Sequence, residues 1–196
     1  MRSFKIGIVL LVSIVSLLYS CQKDDKLGEY LLTDEIKAQN PYQEGDSFVL
    51  ISNSGDTLSW YVKGRSDQIY EYYYDHTMAY YLVEIDKANI ELENSDENVF
   101  FQLEMGGDLT PIHKLKLHLN NGVIGSAFSF YLPLSKASSC YIDSLFIRNR
   151  WIKDVFKHET VSENIMYYST EFGILKIDFS DGSFWELESI HWAERE

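Results

Sequence analysis

Cysteine is almost missing from this 196-residue chain: there are two, Cys21 and Cys140, and only three prolines. No CxxC motif and no paired Cys/His spacing occurs, so nothing marks a structural zinc site. Basic residues are also scarce, 17 Lys and Arg against 30 Asp and Glu, for a net charge of −13. A chain this acidic repels phosphate backbones and anionic lipid headgroups, so nucleic acid is not an expected partner. Nucleophile elbows, phosphate loops and HExxH are absent too. No cofactor or metal is implied, and no catalytic residue can be named.

Long hydrophobic runs are limited to one. Ile6 to Leu18 form thirteen residues broken only by Gly7, Ser13 and Ser16, behind the basic Arg2 and Lys5. A membrane-spanning helix needs about twenty apolar residues. Thirteen is the length of a secretory h-region. Charges return at Lys23, Asp24 and Asp25, which ends the apolar segment sharply.

At that junction Leu18-Tyr19-Ser20-Cys21 resembles the lipobox of bacterial lipoproteins, an aliphatic residue, a variable one, a small one and then cysteine. Tyr19 departs from the pattern, where a smaller residue is usual. The resemblance implies cleavage after Ser20 and acylation (palmitate or a similar chain) at Cys21. Gln22-Lys23-Asp24-Asp25 resembles the surface-export signal of Bacteroidota lipoproteins. That implies a lipid-anchored outer-membrane protein facing the cell exterior, with a periplasm-facing orientation as the alternative. Two further segments, Asn40-Pro41-Tyr42 with Gly45-Asp46 and Met166 to Leu175 followed by Asp181-Gly182 and Trp185, are similar to uncharacterised lipoproteins of the same group. That group carries no assigned reaction.

Three regions follow: residues 1–20 as signal peptide, 21–44 as lipidated cysteine and tether, and 45–196 as a single β-domain. Removing 1–20 leaves 176 residues and lowers the net charge by two, to −15. With Cys21 acylated, Cys140 has no disulfide partner within the chain. It opens the apolar stretch Cys140-Tyr141-Ile142 and reads as a small buried hydrophobe.

From Ser47 onward the apolar period is two, the mark of half-buried strands. Leu58, Trp60 and Val62 alternate with polar neighbours, as do Val99, Phe101, Leu103 and Met105, and Leu115, Leu117 and Leu119. Strands are expected to start near 47, 57, 68, 78, 98, 112, 126, 140, 164, 173 and 183. Residues 148–163 are expected to form a helical turn or long loop. Asp181-Gly182 predicts a hairpin pairing Gly173–Phe179 with Ser183–Ser189. The fold class is therefore all-β: an antiparallel meander of about ten strands, closed or half-open as a barrel, or folded as a sandwich.

The densest polar-aromatic cluster runs from Tyr70 to His76. On a strand Tyr70, Tyr72 and Tyr74 share one face and could stack on a sugar ring or cover a partner, which makes them the candidate ligand-binding residues. Glu71 and Asp75 would lie about 13 Å apart on one strand, too far for a glycosidase pair. His113 and His118 fall on opposite faces, His113 with the leucines. Asp178 and Asp181 read as turn residues before calcium ligands. The function expected is a lipid-anchored, non-catalytic β-domain that binds a glycan, a lipid or a protein. A glycan-directed hydrolase with carboxylates from separate strands, and a structural or inhibitory envelope protein, are the alternatives.

Overall fold

A computed structural model describes residues 25–73, 79–92, 100–107, 113–120 and 125–195. Its strands are β1 (Lys26–Tyr30), β2 (Ser47–Ser52), β3 (Thr57–Tyr73), β4 (Tyr80–Leu92), β5 (Phe100–Gly107), β6 (His113–Asn120), β7 (Gly125–Tyr131), β8 (Tyr141–Ile147), β9 (Arg150–Glu159), β10 (Ile165–Ser169), β11 (Gly173–Asp178) and β12 (Phe184–His191). One short helix, α1 (Asp34–Lys37), is capped by Thr33, whose hydroxyl accepts from the Ile36 N–H.

Eleven strands form one antiparallel sheet in the order β7-β6-β5-β4-β3-β2-β12-β11-β10-β9-β8, and β1 adds in parallel to β4. The fold is all-β, and the sheet curls into a half-barrel. Curling brings its two ends face to face. Phe130 of β7 lies 5.6 Å from the His158 ring of β9 and 5.9 Å from Tyr168 of β10. The concave face carries the core. Trp60 is fully buried at its centre, 4.3 Å from Phe101 and 6.0 Å from Trp185. Leu103, Met105, Leu115, Leu117 and Phe128 extend the same face through β5, β6 and β7.

Several expectations hold in detail. The β11–β12 hairpin pairs Ile177 with Trp185 and closes through a hydrogen bond from the Gly182 N–H to the Phe179 carbonyl. Leu115, Leu117 and Leu119 are buried together on β6. Others need correction. The two strands expected near 57 and 68 are one strand of 17 residues, β3, continued through a bulge between Val62 and Gly64. The bulge absorbs the change of phase that made the run look broken. Residues 150–159, expected as loop or helical turn, are β9. Their alternation is obscured around Asp154, at φ 54°: Ile152, Val155 and Phe156 are all buried, while the register against β8 stays unbroken.

The stretch expected as a tether is built into the fold. Leu32, Gln39, Asn40 and Tyr42 are buried. Gln39 bridges to the Leu134 backbone in the β7–β8 connection, its Oε1 accepting from the Leu134 N–H at 2.7 Å. The Tyr168 hydroxyl donates to the Gln39 carbonyl at 2.8 Å. Residues 31–46 therefore form a plug on the concave side of the sheet, attached to both of its ends.

Tyr42 shows how tightly the plug fits. Its hydroxyl accepts from the Ile174 N–H at 2.8 Å, and its ring lies 5.3 Å from Phe48. Burial pushes this phenol well above its ordinary pKa. Gly173 stands beside it at φ 75°, where a β-carbon would come within 2.2 Å of the Tyr42 ring. A left-handed non-glycine residue and an overpacked site each cost of order 1–3 kcal/mol. Gly173→Ala is therefore expected to lower unfolding free energy by about 2–5 kcal/mol in urea titrations. A loss below half a kilocalorie would mean the Tyr42 contact is not tight.

Candidate functional site

Charged residues point into the half-barrel, which the sequence pattern did not suggest. Val83-Glu84-Ile85-Asp86 looks like a strand with its apolar residues inward. Val83 is buried, at 4% exposure, but the two acids on the opposite face are buried as well. Glu84 is 7% exposed and Asp86 1%, in line with the buried Ala88 and Ile90 on the same face of β4. The only sequence signal was that downstream phase, since Ala88, Ile90 and Leu92 fix which face of β4 is buried.

Both acids are neutralised by the plug and by β3. Arg65 grips Asp86 with two parallel bonds, Nε to Oδ1 at 2.8 Å and Nη2 to Oδ2 at 2.7 Å. The same guanidinium donates to the carbonyls of Lys37, Asn40 and Tyr42 at 3.0–3.2 Å. Glu84 accepts from the Leu32 N–H at 2.6 Å and from Lys37 Nζ at 2.5 Å. Lys37 also reaches Asp67, opposite Asp86 on β3, at 2.5 Å. The Asp67 hydrogen bond first, and then that to Glu84, hold the lysine well above its ordinary pKa. In return Lys37 holds the Asp67 carboxyl below the usual carboxylate range.

Here three carboxylates from two strands do converge. A hydrolytic general acid, however, needs a raised pKa so that it carries a proton near neutrality. Asp67 is pushed the other way, Asp86 is committed to a bidentate arginine, and Glu84 to a backbone amide and a lysine. The cluster is a clamp between sheet and plug. Breaking a buried pair strands the surviving charge, at about 3–5 kcal/mol. Arg65→Met is expected to cost that much in urea unfolding, and a loss below 1 kcal/mol would exclude the clamp.

The histidines are separated. His113 is half-buried at the start of β6 and His118 is exposed on the opposite face. His158 lies on β9 and His191 on β12, with β10 and β11 between them. Burial lowers the pKa of His158, whose ring meets Phe128 and Phe130 edge-on. Asp178 pairs with Lys176 at 2.9 Å, and Asp181 accepts from the Ser183 N–H and hydroxyl, closing the β11–β12 turn. Cys140 is half-buried, and burial raises its thiol pKa, which opposes thiolate formation.

The candidate tyrosines lie on an arm. Beyond the last β5 pairing, Ile85 with Gly106, β3 and β4 continue together through Ile69–Glu84, Tyr70–Val83, Glu71–Leu82, Tyr72–Tyr81 and Tyr73–Tyr80. Five residues at 3.3 Å extend the hairpin about 16 Å past its neighbour. The vacated edge of β4 is taken by β1, which pairs in parallel from Lys26 at Tyr80 to Tyr30 at Val83. The arm is thus three-stranded.

Tyr70 and Tyr72 share one face, as expected, and are 49% and 41% exposed. Their face continues across β4 and β1 through Tyr81 and Tyr30, whose rings stack at 5.2 Å. Tyr74 lies outside the described residues, as do Asp75, His76 and Cys21. Sequence reasoning missed the partners Tyr30 and Tyr81, because nothing local shows that residue 30 lies beside residue 83. It also missed the opposite face, where Tyr73 meets Tyr80 at 5.7 Å beside the exposed Ile69.

Among the described residues, two depressions lie away from the arm. One, of about 530 Å3, opens at the β3 bulge and is crossed by the Lys63–Glu91 ion pair. The other, of about 470 Å3, lies between Pro41, Glu171 and Trp192, with Arg195 over the Trp192 ring. Both open to solvent; Thr170 also lines the second. No family model, curated protein or solved structure matches this chain.

His158 also generates a pH prediction. Its folded pKa lies below the unfolded value of about 6.5, so the neutral ring's stabilisation is complete above that value. It is lost as pH falls through 6.5 towards the folded pKa. Thermal midpoints of His158→Phe should accordingly fall less than those of the parent between pH 7.5 and 5. Parallel curves would show that His158 does not charge on unfolding.

Proposed function

We propose that this protein is a lipid-anchored outer-membrane lipoprotein, acylated at Cys21 and exposed at the cell surface, whose β-domain binds through its exterior. The observation that carries the binding reading is the three-stranded arm with Tyr30, Tyr70, Tyr72 and Tyr81 on one face. The interior is a poorer candidate for holding a ligand, because Trp60, Tyr42, Phe101 and the plug fill it. That weighs against a lipid held in a β-cup. Ion pairing of Asp67, Glu84 and Asp86 weighs against the hydrolase alternative.

The anchor rests on the sequence: a basic start, thirteen apolar residues, Ser20-Cys21, and the polar restart with Lys23-Asp24-Asp25. Two acyl chains already give stable attachment at about 0.8 kcal/mol per buried methylene. The surface address rests on the same polar restart, and the tyrosine face suits a glycan, a lipid or a protein.

Cys21→Ser should accumulate as an unprocessed precursor and take up no radiolabelled palmitate. Label entering that variant would refute the assignment. Protease added to intact cells should degrade the parent protein, and full protection would turn the domain towards the periplasm.

A further inference from the structure

The polarity of β1 says which end of the molecule the anchor enters. Because β1 runs parallel to β4, its first residue lies at the arm's tip beside Tyr80, and its last lies nearer the body beside Val83. The chain therefore arrives at the tip and runs inwards. Five peptide steps separate Cys21 from Lys26, and a fully extended chain spans at most about 3.6 Å per residue, or about 18 Å. An acyl chain on Cys21 would hold the arm's tip within that distance of the bilayer.

The side chains at this end suit such a place. Among the described residues, eleven large apolar or aromatic side chains are exposed, and six belong to the arm or its exit: Leu27, Leu31, Ile69, Tyr70, Tyr72 and Tyr73, each 41–56% exposed. They occupy both faces of the arm. Tyrosine is favoured at the level of lipid headgroups, where its ring meets apolar carbon and its hydroxyl meets water. An arm with exposed aromatic side chains beside the point where the chain enters β1 is suited to meeting that layer.

We propose that the occupant of the tyrosine face is the headgroup interface of the membrane that carries the anchor, so that the arm is a second, shallow attachment that fixes the domain's orientation. This inference rests on the lipoprotein reading of Cys21 and names the ligand class of the same tyrosine site. Charge selects the lipid. On the arm Glu29 is paired with Lys26 and Glu71 adds a negative charge, and the mature chain carries −15, so zwitterionic headgroups suit it better than anionic ones.

The strand register supplies an internal control. Following the pairs Ile51–Thr57, Trp185–Ser52, Asp178–Phe184 and Ile165–Glu159 places the β9–β10 turn at the start of β3, the end away from the arm. Val161, in that turn, is fully exposed.

The test uses the full-length protein, purified from membranes and reconstituted in phosphatidylcholine vesicles. Cys140→Ser removes the remaining thiol, and an environment-sensitive fluorophore is attached through Tyr72→Cys, Tyr70→Cys or Val161→Cys. Lipids bearing a spin label near the headgroup act as quenchers, and intact mass reports acylation of each sample. The expected result is acylated protein with blue-shifted, strongly quenched emission at 72 and 70, and unshifted, weakly quenched emission at 161. Acylated protein with equally weak quenching at all three positions overturns the inference and leaves the face to a soluble glycan or protein. Protein whose mass lacks acyl chains overturns the lipoprotein reading, and the inference with it.

Discussion

A single curled sheet whose end strands face each other without a shared ladder must fill its concave side from elsewhere in the chain. Residues 31–46 do this, and the rest of the molecule depends on the fit. The plug brings backbone carbonyls and amides into an apolar space, and each needs a partner there. Arg65 supplies three of those partners at once, and Asp86 balances its charge. The arginine is well suited to this task, since its planar fork binds a carboxylate in two places and still has donors to spare. Tyr42 and Gln39 then attach the same segment to β11 and to the β7–β8 connection.

That arrangement shapes the functional reading. An interior closed by aromatic rings and ion pairs is what turns the proposed binding towards the outside. The clamp also fixes the base of the arm, because Asp67 and Glu84 stand where β3 and β4 leave the body of the sheet. A rigidly rooted arm differs from a loose hairpin in one respect: its tyrosines are held in fixed positions relative to the chain's point of entry. Polarity then matters. Had β1 paired antiparallel to β4, the N-terminal segment would have entered at the body and the exposed rings would have faced away from it.

Much of the fold was legible because period-two alternation is local. Leu115, Leu117 and Leu119, and the Asp181-Gly182 hairpin, follow from side-chain phase and turn chemistry within a few residues. Legibility failed where a bulge shifts that phase. The bulge at Gly64 split β3, and at Asp154 a positive φ, with the β8 register unbroken, hid the alternation of β9. It failed again in residues 26–44, whose polar composition resembles a linker. Many of their polar groups are satisfied by partners 23–132 residues away, which no local pattern encodes.

What the sequence determined by itself is the β class, the acidic balance, the short apolar N-terminal run before Cys21, and the shared face of Tyr70 and Tyr72. Each of these depends on composition or on neighbours two residues apart. Tertiary structure alone decided that Lys37 and Arg65 meet the inward-facing Glu84 and Asp86, and that Tyr30 and Tyr81 complete the tyrosine face. The physical reason is the same in each case. An ion pair or a strand pairing is a relation between segments brought together by folding, and its energy depends on a distance that no single segment specifies.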